Sequence, residues 1–201
     1  MAQALAKQPK RLPAEQRREQ LLDVAAALML EHGFEAVTME AIKERAGISR
    51  GLAYQYFLNA EELVFALYER EMTELEKRLD AMHVASSSFE ERVRAATQIY
   101  FDFVVDRGGL LATLQMKLPQ RWFKPSVRER LARLLRYWSD EVQRAHEDVP
   151  LKHAQALARA ALAASEMFAT ALRGKLITRG DAEYLATHFV LGGLKRAAGP
   201  R

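Results

Sequence analysis

The residues of this chain best suited to chemistry lie between Thr38 and Phe57, and that chemistry is hydrogen bonding to a large polar surface. The stretch "ISRGLAYQYF", Ile48 to Phe57, gathers Arg50, Tyr54, Gln55 and Tyr56 into one short apparent helix. A helix that only fills a core would not carry them. Arg50 and Gln55 can pair with base edges in a major groove, arginine best with guanine and glutamine with adenine. The hydroxyls of Tyr54, Tyr56 and Thr38 suit phosphate oxygens, with the helix N-terminus behind Thr38 adding to its pull. Gly51 removes a side chain where such a helix must approach closely.

Two short helices must position these groups. Thr38 is a good N-cap for the first, which holds Met39, Ile42 and Ala46 and ends at Gly47; Ser49 caps the second. Joined at "AGIS", residues 37–56 have helix-turn-helix spacing, which lets the second helix lie in a major groove. The same geometry can also merely close a small helical bundle.

The rest of the chain reads as helix. Apolar residues recur at three and four nearly everywhere, with no strand alternation and no repeat, so the 201 residues are expected to be all-α, with nine helices in two domains. Pro13 starts the first helix, whose inner stripe is Leu21, Leu22, Ala25, Leu28, Met29 and His32 up to Gly33. Asn59 with Glu62, Ser88 with Glu91, and Ser126 with Glu129 read as capping boxes opening later helices. The fourth runs to about His83 and the fifth to about Asp106, before Gly108-Gly109. A short helix follows from Leu110 to about Met116. Pro150 marks another start, for a helix ending near Gly174, and the last begins around Asp181. It carries Ala182, Leu185, Ala186, Phe189, Val190 and Gly193 on one face. The expected divisions are a flexible basic arm over 1–13, a DNA-binding domain over 14–74 and a C-terminal domain over 75–201.

Composition narrows the classes. The chain is 49% hydrophobic and 28% charged, with net charge +4, pI near 9.4 and no cysteine, which excludes disulfides and thiolate metal sites. From Lys7 to Arg18, five basic residues (Lys7, Lys10, Arg11, Arg17 and Arg18) stand against one acid, Glu15; the basic N-terminal arm is expected to be a solvated tail and could also follow a phosphate backbone. There is no apolar run of the roughly 18 residues a membrane span needs, and no secretory leader, so the expected location is the cytoplasm. No hydrolase, phosphate-loop or zinc-protease motif occurs, and His32, His83, His146, His153 and His188 are scattered. Neither an enzyme nor a metal or cofactor is expected.

The stretch from Arg17 to Tyr68 resembles the DNA-binding domain of the tetracycline-repressor (TetR) family of transcriptional regulators. It shares His32-Gly33-Phe34, Thr38, Ala46-Gly47-Ile48-Ser49, Gly51, Tyr54 and Tyr56-Phe57 with Glu61-Glu62-Leu63 behind. The resemblance implies phosphate contacts from Thr38, Tyr54 and Tyr56 and base-facing positions at Arg50, Gly51, Leu52 and Gln55. Two departures stand out. Leu52 and Ala53 replace the family's usual threonine and leucine, which suits Leu52 to a thymine methyl. Ala60 replaces a lysine at the start of the fourth helix, removing one phosphate contact.

The resemblance also implies a homodimer and a small-molecule pocket in the C-terminal domain. Tyr100, Phe101, Phe103, Met116, Trp122, Phe123, Trp138, Met167 and Phe168 could line an apolar cavity, although large aromatics at helical spacing usually pack as core. Small residues on the last two helices, Ala160, Ala164, Ala182, Ala186 and Gly193 with Phe189, suit a close interface between two copies. Glu166 lies in an otherwise apolar stretch and needs a partner, which Arg159 could supply at such an interface; a ligand-facing role is the other reading. The function expected is a DNA-binding regulator, a repressor released from its operator by a hydrophobic small molecule. The alternative is an inducer-independent DNA-binding protein of the same kind acting through protein partners.

Overall fold

The computed structural model describes residues 12–83, 88–118 and 125–198, with the backbone alone at 82, 83, 125–127, 197 and 198. Among the described residues there are nine α-helices and no strand: α1 (Ala14–His32), α2 (Met39–Ala46), α3 (Arg50–Tyr56), α4 (Ala60–His83), α5 (Phe89–Asp106), α6 (Leu110–Lys117), α7 (Pro125–Ala145), α8 (Leu151–Arg173) and α9 (Arg179–Ala198). The chain divides into two compact units between Tyr68 and Glu69, so α4 contributes its first turns to one and the remainder to the other.

The first unit is held by an apolar interior and by capped helix ends. Leu21, Leu22, Ala25, Leu28 and Met29 of α1 are buried, as are Met39 and Ile42 of α2, Ala53 of α3, and Leu63, Val64 and Leu67 of α4. Thr38 Oγ1 accepts from the Ala41 N–H at 3.1 Å and Ser49 Oγ from the Leu52 N–H at 3.3 Å, satisfying donors that a helix start leaves unpaired. Gly47 closes α2 in the left-handed region (φ 64°, ψ 39°), and the next N–H, from Ile48, returns to the Lys43 carbonyl at 3.1 Å. That left-handed residue lets the chain reverse into α3 without strain. At the start of α4, Asn59 Oδ1 accepts from the Glu62 N–H at 2.8 Å, and the Glu62 carboxylate accepts from Leu58, one residue earlier than a standard box. His32 departs from the expected inner stripe. Its side chain is solvated at the end of α1, where the turn at Gly33 carries the chain away.

In the second unit α5 packs against α7, α8 and α9. Phe89 and Val93 of α5 meet Val142, Ala154, Val190 and Leu194 in one cluster, while Phe101 and Val104 meet Ala169, Ala182 and Ala186 in another. Ser88 and Glu91 form the reciprocal capping box, at 3.2 and 2.9 Å. Pro125 is already the first residue of α7, a helix start that suits its fixed φ, and the Ser126 side chain lies outside those described. The last helix starts at Arg179, earlier than Asp181, because Thr178 and Asp181 cap one another: Thr178 N–H reaches Asp181 Oδ2 at 3.0 Å and Asp181 N–H reaches Thr178 Oγ1 at 3.1 Å. Its expected single face is two. The row Ala182, Ala186, Val190, Leu194 is buried, whereas Leu185, Phe189 and Gly193 occupy the neighbouring row and are exposed.

Candidate nucleic-acid interface and cavity

Helix α3 is anchored by one edge. Ala53 and Phe57, four residues apart, are buried, and the Phe57 ring also lies 5.1 Å beneath the Arg18 guanidinium of α1. With those two inside, Arg50, Gly51, Tyr54 and Gln55 turn outward, while Leu52 and Tyr56 are half-buried at the margins. Thr38, at the head of α2, is exposed as well, and its hydroxyl hydrogen remains free to donate because its oxygen is the capping acceptor.

The outward face has its own order. The Arg50 guanidinium sits 5.4 Å over the Tyr54 ring and 3.9 Å from the Glu40 carboxylate, while 69% of its side chain remains exposed. Glu40 also takes Lys43 at 3.2 Å. The arginine thus has neighbours on both sides while most of it stays open to solvent. Glu40, missed in the sequence, is legible only once α2 and α3 lie side by side. At Gly51 a built Cβ meets nothing within 4 Å, and the backbone there is ordinary helix. The fold itself gives no reason for glycine, which in a helix interior costs about 0.5–1 kcal/mol relative to alanine. Close approach by something outside the molecule does give one.

The frame of this face is braced by Arg45, whose guanidinium donates to Glu31 of α1 at 2.5 and 2.6 Å. That hydrogen bond first, with the charge of Arg45 behind it, holds the Glu31 carboxyl below its ordinary value. It ties the end of α2 to α1 at the surface.

Among the described residues, those expected around a ligand do not gather around one cavity. Phe101 is fully buried in the α5–α8–α9 cluster, Trp138 packs on the neighbouring cluster, and Phe168 packs on the first with its ring 6.3 Å from that of Phe189. Met116 and Met167 are 80% and 68% exposed, because each stands on the solvent side of its helix. Trp122 and Phe123 lie outside the described residues. Of the aromatics named from the sequence, Tyr100 and Phe103 do line a cavity, together with two unforeseen arginines, Arg107 and Arg173. Each of those arginines precedes a glycine at a helix end, the one local sign that could have marked them. The expected Arg159–Glu166 pair is not formed. Arg173 takes Glu166 at 2.7 Å, and the Tyr100 hydroxyl donates to the other carboxylate oxygen, while Arg159 bonds back to the Gln155 carbonyl. Burial first, and then the Glu166 carboxylate, push the Tyr100 hydroxyl well above its usual range, so it stays a donor.

The expected interface residues divide. Ala182 and Ala186 are fully buried within their own chain, so they cannot meet a second copy. Ala160, Phe189 and Gly193 are exposed and Ala164 is half-buried. Among the described residues no helix is long and apolar enough to cross a membrane, and no group of three or more His, Asp or Glu could hold a metal ion.

Comparison with known proteins agrees with this geometry. Residues 21–67 match the family "Bacterial regulatory proteins, tetR family". The chain is 34% identical over 94 residues to the HTH-type transcriptional activator FasR of Mycolicibacterium smegmatis, a match covering 47% of this chain and 43% of that protein. It is 23% identical over 101 residues to the fatty acid metabolism regulator protein of Bacillus subtilis, covering 50% and 52%. The matched region thus spans about half the length of these curated relatives. A solved TetR-like transcriptional regulator from Rhodococcus sp. RHA1 superimposes with a TM-score of 0.78 at 26% identity, covering 92% of this chain and 99% of that one.

Proposed function

We propose that this chain, whose residues 21–67 match the tetR family of bacterial regulatory proteins, is a transcriptional regulator that binds operator DNA as a homodimer and leaves it when a small molecule binds its second unit. The observation that carries the DNA reading is the outward face of α3. Arg50 and Gln55 are exposed there beside a glycine that the fold does not require. Arg50 and Gln55 read base edges, Leu52 meets a thymine methyl, and Thr38, Tyr54 and Tyr56 hold phosphates.

The homodimer forms through the exposed rows of α8 and α9. Ala156, Ala160, Ala163 and Met167 make one stripe, small enough at its start for close backbone approach, and Leu185 with Phe189 make the other. An isologous pairing of these faces builds a four-helix bundle. It must set the two copies of α3 about 34–36 Å apart, one turn of duplex, or a multiple of that. Release by a ligand is the mode that the likeness to this family supports; action through protein partners is the alternative.

Selection from a randomised duplex library tests the reading. It should enrich a two-fold symmetric site. On that site Arg50→Ala should lose about 1–3 kcal/mol and relax preference at one position per half-site. Gly51→Ala should bind more weakly while its helix melts no lower. Failure to enrich any sequence, or a Gly51→Ala protein that binds as well as the parent, would sink the assignment of α3.

A further inference from the structure

Helix α3 carries no acid of its own, and the carboxylate that meets its outward face comes from α2. Glu40 stands in the first turn of α2, two residues past Thr38, with its side chain 55% exposed. One of its carboxylate oxygens, Oε1, lies 3.9 Å from Arg50 Nη1 and 3.2 Å from Lys43 Nζ. The Tyr54 ring covers another side of the same arginine.

A negative charge is costly at this place. A surface that meets DNA gains most of its sequence-independent affinity from cations against phosphates. An acid beside them repels those phosphates, and Glu40 sits at the helix start where the Thr38 hydroxyl would hold one. A carboxylate in a first helical turn does favour the helix dipole. That role is local, however; it needs no arginine and has no bearing on which base is read.

Arg50 supplies what the helix dipole does not. Its guanidinium has five N–H donors, and a guanine takes two of them at O6 and N7. The others can stay beside Glu40 while the base is read, because the guanine edge is neutral. A phosphate is a different partner. Docked on the same guanidinium, it brings a full negative charge within the width of one side chain of the Glu40 carboxylate. That is less than the roughly 8 Å over which physiological salt screens charge.

We propose that Glu40 is a specificity-determining residue, whose carboxylate admits a neutral guanine edge to Arg50 and turns phosphates away from it. Specificity is a difference of two affinities, and repulsion of the wrong partner widens it as attraction to the right one does. Glu40 therefore weakens attachment to DNA of any sequence more than attachment to the operator. The role rests on the regulator reading above, since it needs α3 in the groove.

Fluorescence anisotropy of the full chain, on the duplex selected from the randomised library and on a scrambled duplex of equal length and composition, tests this. Glu40→Gln should hold the scrambled duplex about threefold more tightly and the selected one no more tightly, so their affinity ratio falls about threefold. On the scrambled duplex, log affinity against log salt should steepen by up to about 0.9, the counterion release of one more phosphate contact. In an Arg50→Ala background the same change should leave the ratio where it was. An acid with only a structural role would lower the melting temperature in circular dichroism and leave ratio and slope alone; that outcome overturns the proposal. So does an equal fall in the ratio without Arg50. A loss at a base pair other than the one Arg50 reads overturns it too, because Glu40 would then contact a base itself. A chain that binds neither duplex overturns the regulator reading and the role of Glu40 together. Duplexes told apart equally well by the parent and by Glu40→Gln sink the role of Glu40 alone.

Discussion

The two units differ in what they bury. Among the described residues, the first unit's buried set is wholly uncharged, from Leu21 through Phe57 to Leu67, and its ion pairs, such as Arg45–Glu31, lie outside. The second unit buries Glu71 and Glu141 almost completely, with Thr97, Ser139 and Thr187. Glu141 is held by Arg92 at 2.6 Å and by Arg144, each from a different direction along the chain. Apolar packing and capped ends make one stable arrangement and few alternatives, which suits a surface that presents fixed donors. Buried ion pairs contribute little net stability once desolvation is counted, but they have partners that can be exchanged. The unit with exchangeable partners is the one with the cavity.

The largest effect should come from cutting the apolar unit. Ile42→Ala empties a fully buried site under α2 and should cost about 2–5 kcal/mol, read as a lower midpoint in denaturant melts. If the loss is under about 1 kcal/mol, the first unit is not the tightly packed body described here. The next effect sharpens the contrast. Arg92→Ala strands much of the Glu141 charge and should cost about 2 kcal/mol, less than a fully buried pair because Arg92 is a fifth exposed and Arg144 remains. The double change Arg92→Met with Glu141→Leu should cost less than the single one, since no charge is left buried. A double variant less stable than Arg92→Ala would mean that the pair itself, and not the stranded charge, supplies the stability.

The smallest effect is a pH signature of the first unit's surface. The hydrogen bond from Arg45 holds Glu31 below its ordinary 4.5, so its contribution is present above that value and is lost as pH falls through the lower folded-state value. Glu31→Gln should therefore melt below the parent near neutral pH, and the two melting temperatures should converge in acid. A gap that persists unchanged in strong acid would assign the effect to packing and not to charge.

Much of this was legible in the residues alone. The caps Thr38, Ser49 and Ser88, the turn at Gly47 and the spacing of α2 and α3 were all readable, whereas the buried edge of Ala53 and Phe57 that turns Arg50, Tyr54 and Gln55 outward came with the structure. These features depend on hydrogen bonds and backbone angles spanning only three to five residues, which any local stretch carries complete. What the chain could not show on its own were partners distant in sequence. Tyr100 and Arg173 both converge on Glu166, Arg92 reaches Glu141, and Arg107 reaches Glu71. Periodicity placed Ala182 and Phe189 on one face of α9, yet packing against α5 buried the first and left the second outside. A helix has several neighbouring rows of nearly equal apolar character, and only the position of the helices around it selects which row goes inside. The same holds for the cavity: its walls come from three helix ends, and their approach depends on how every helix between them packs.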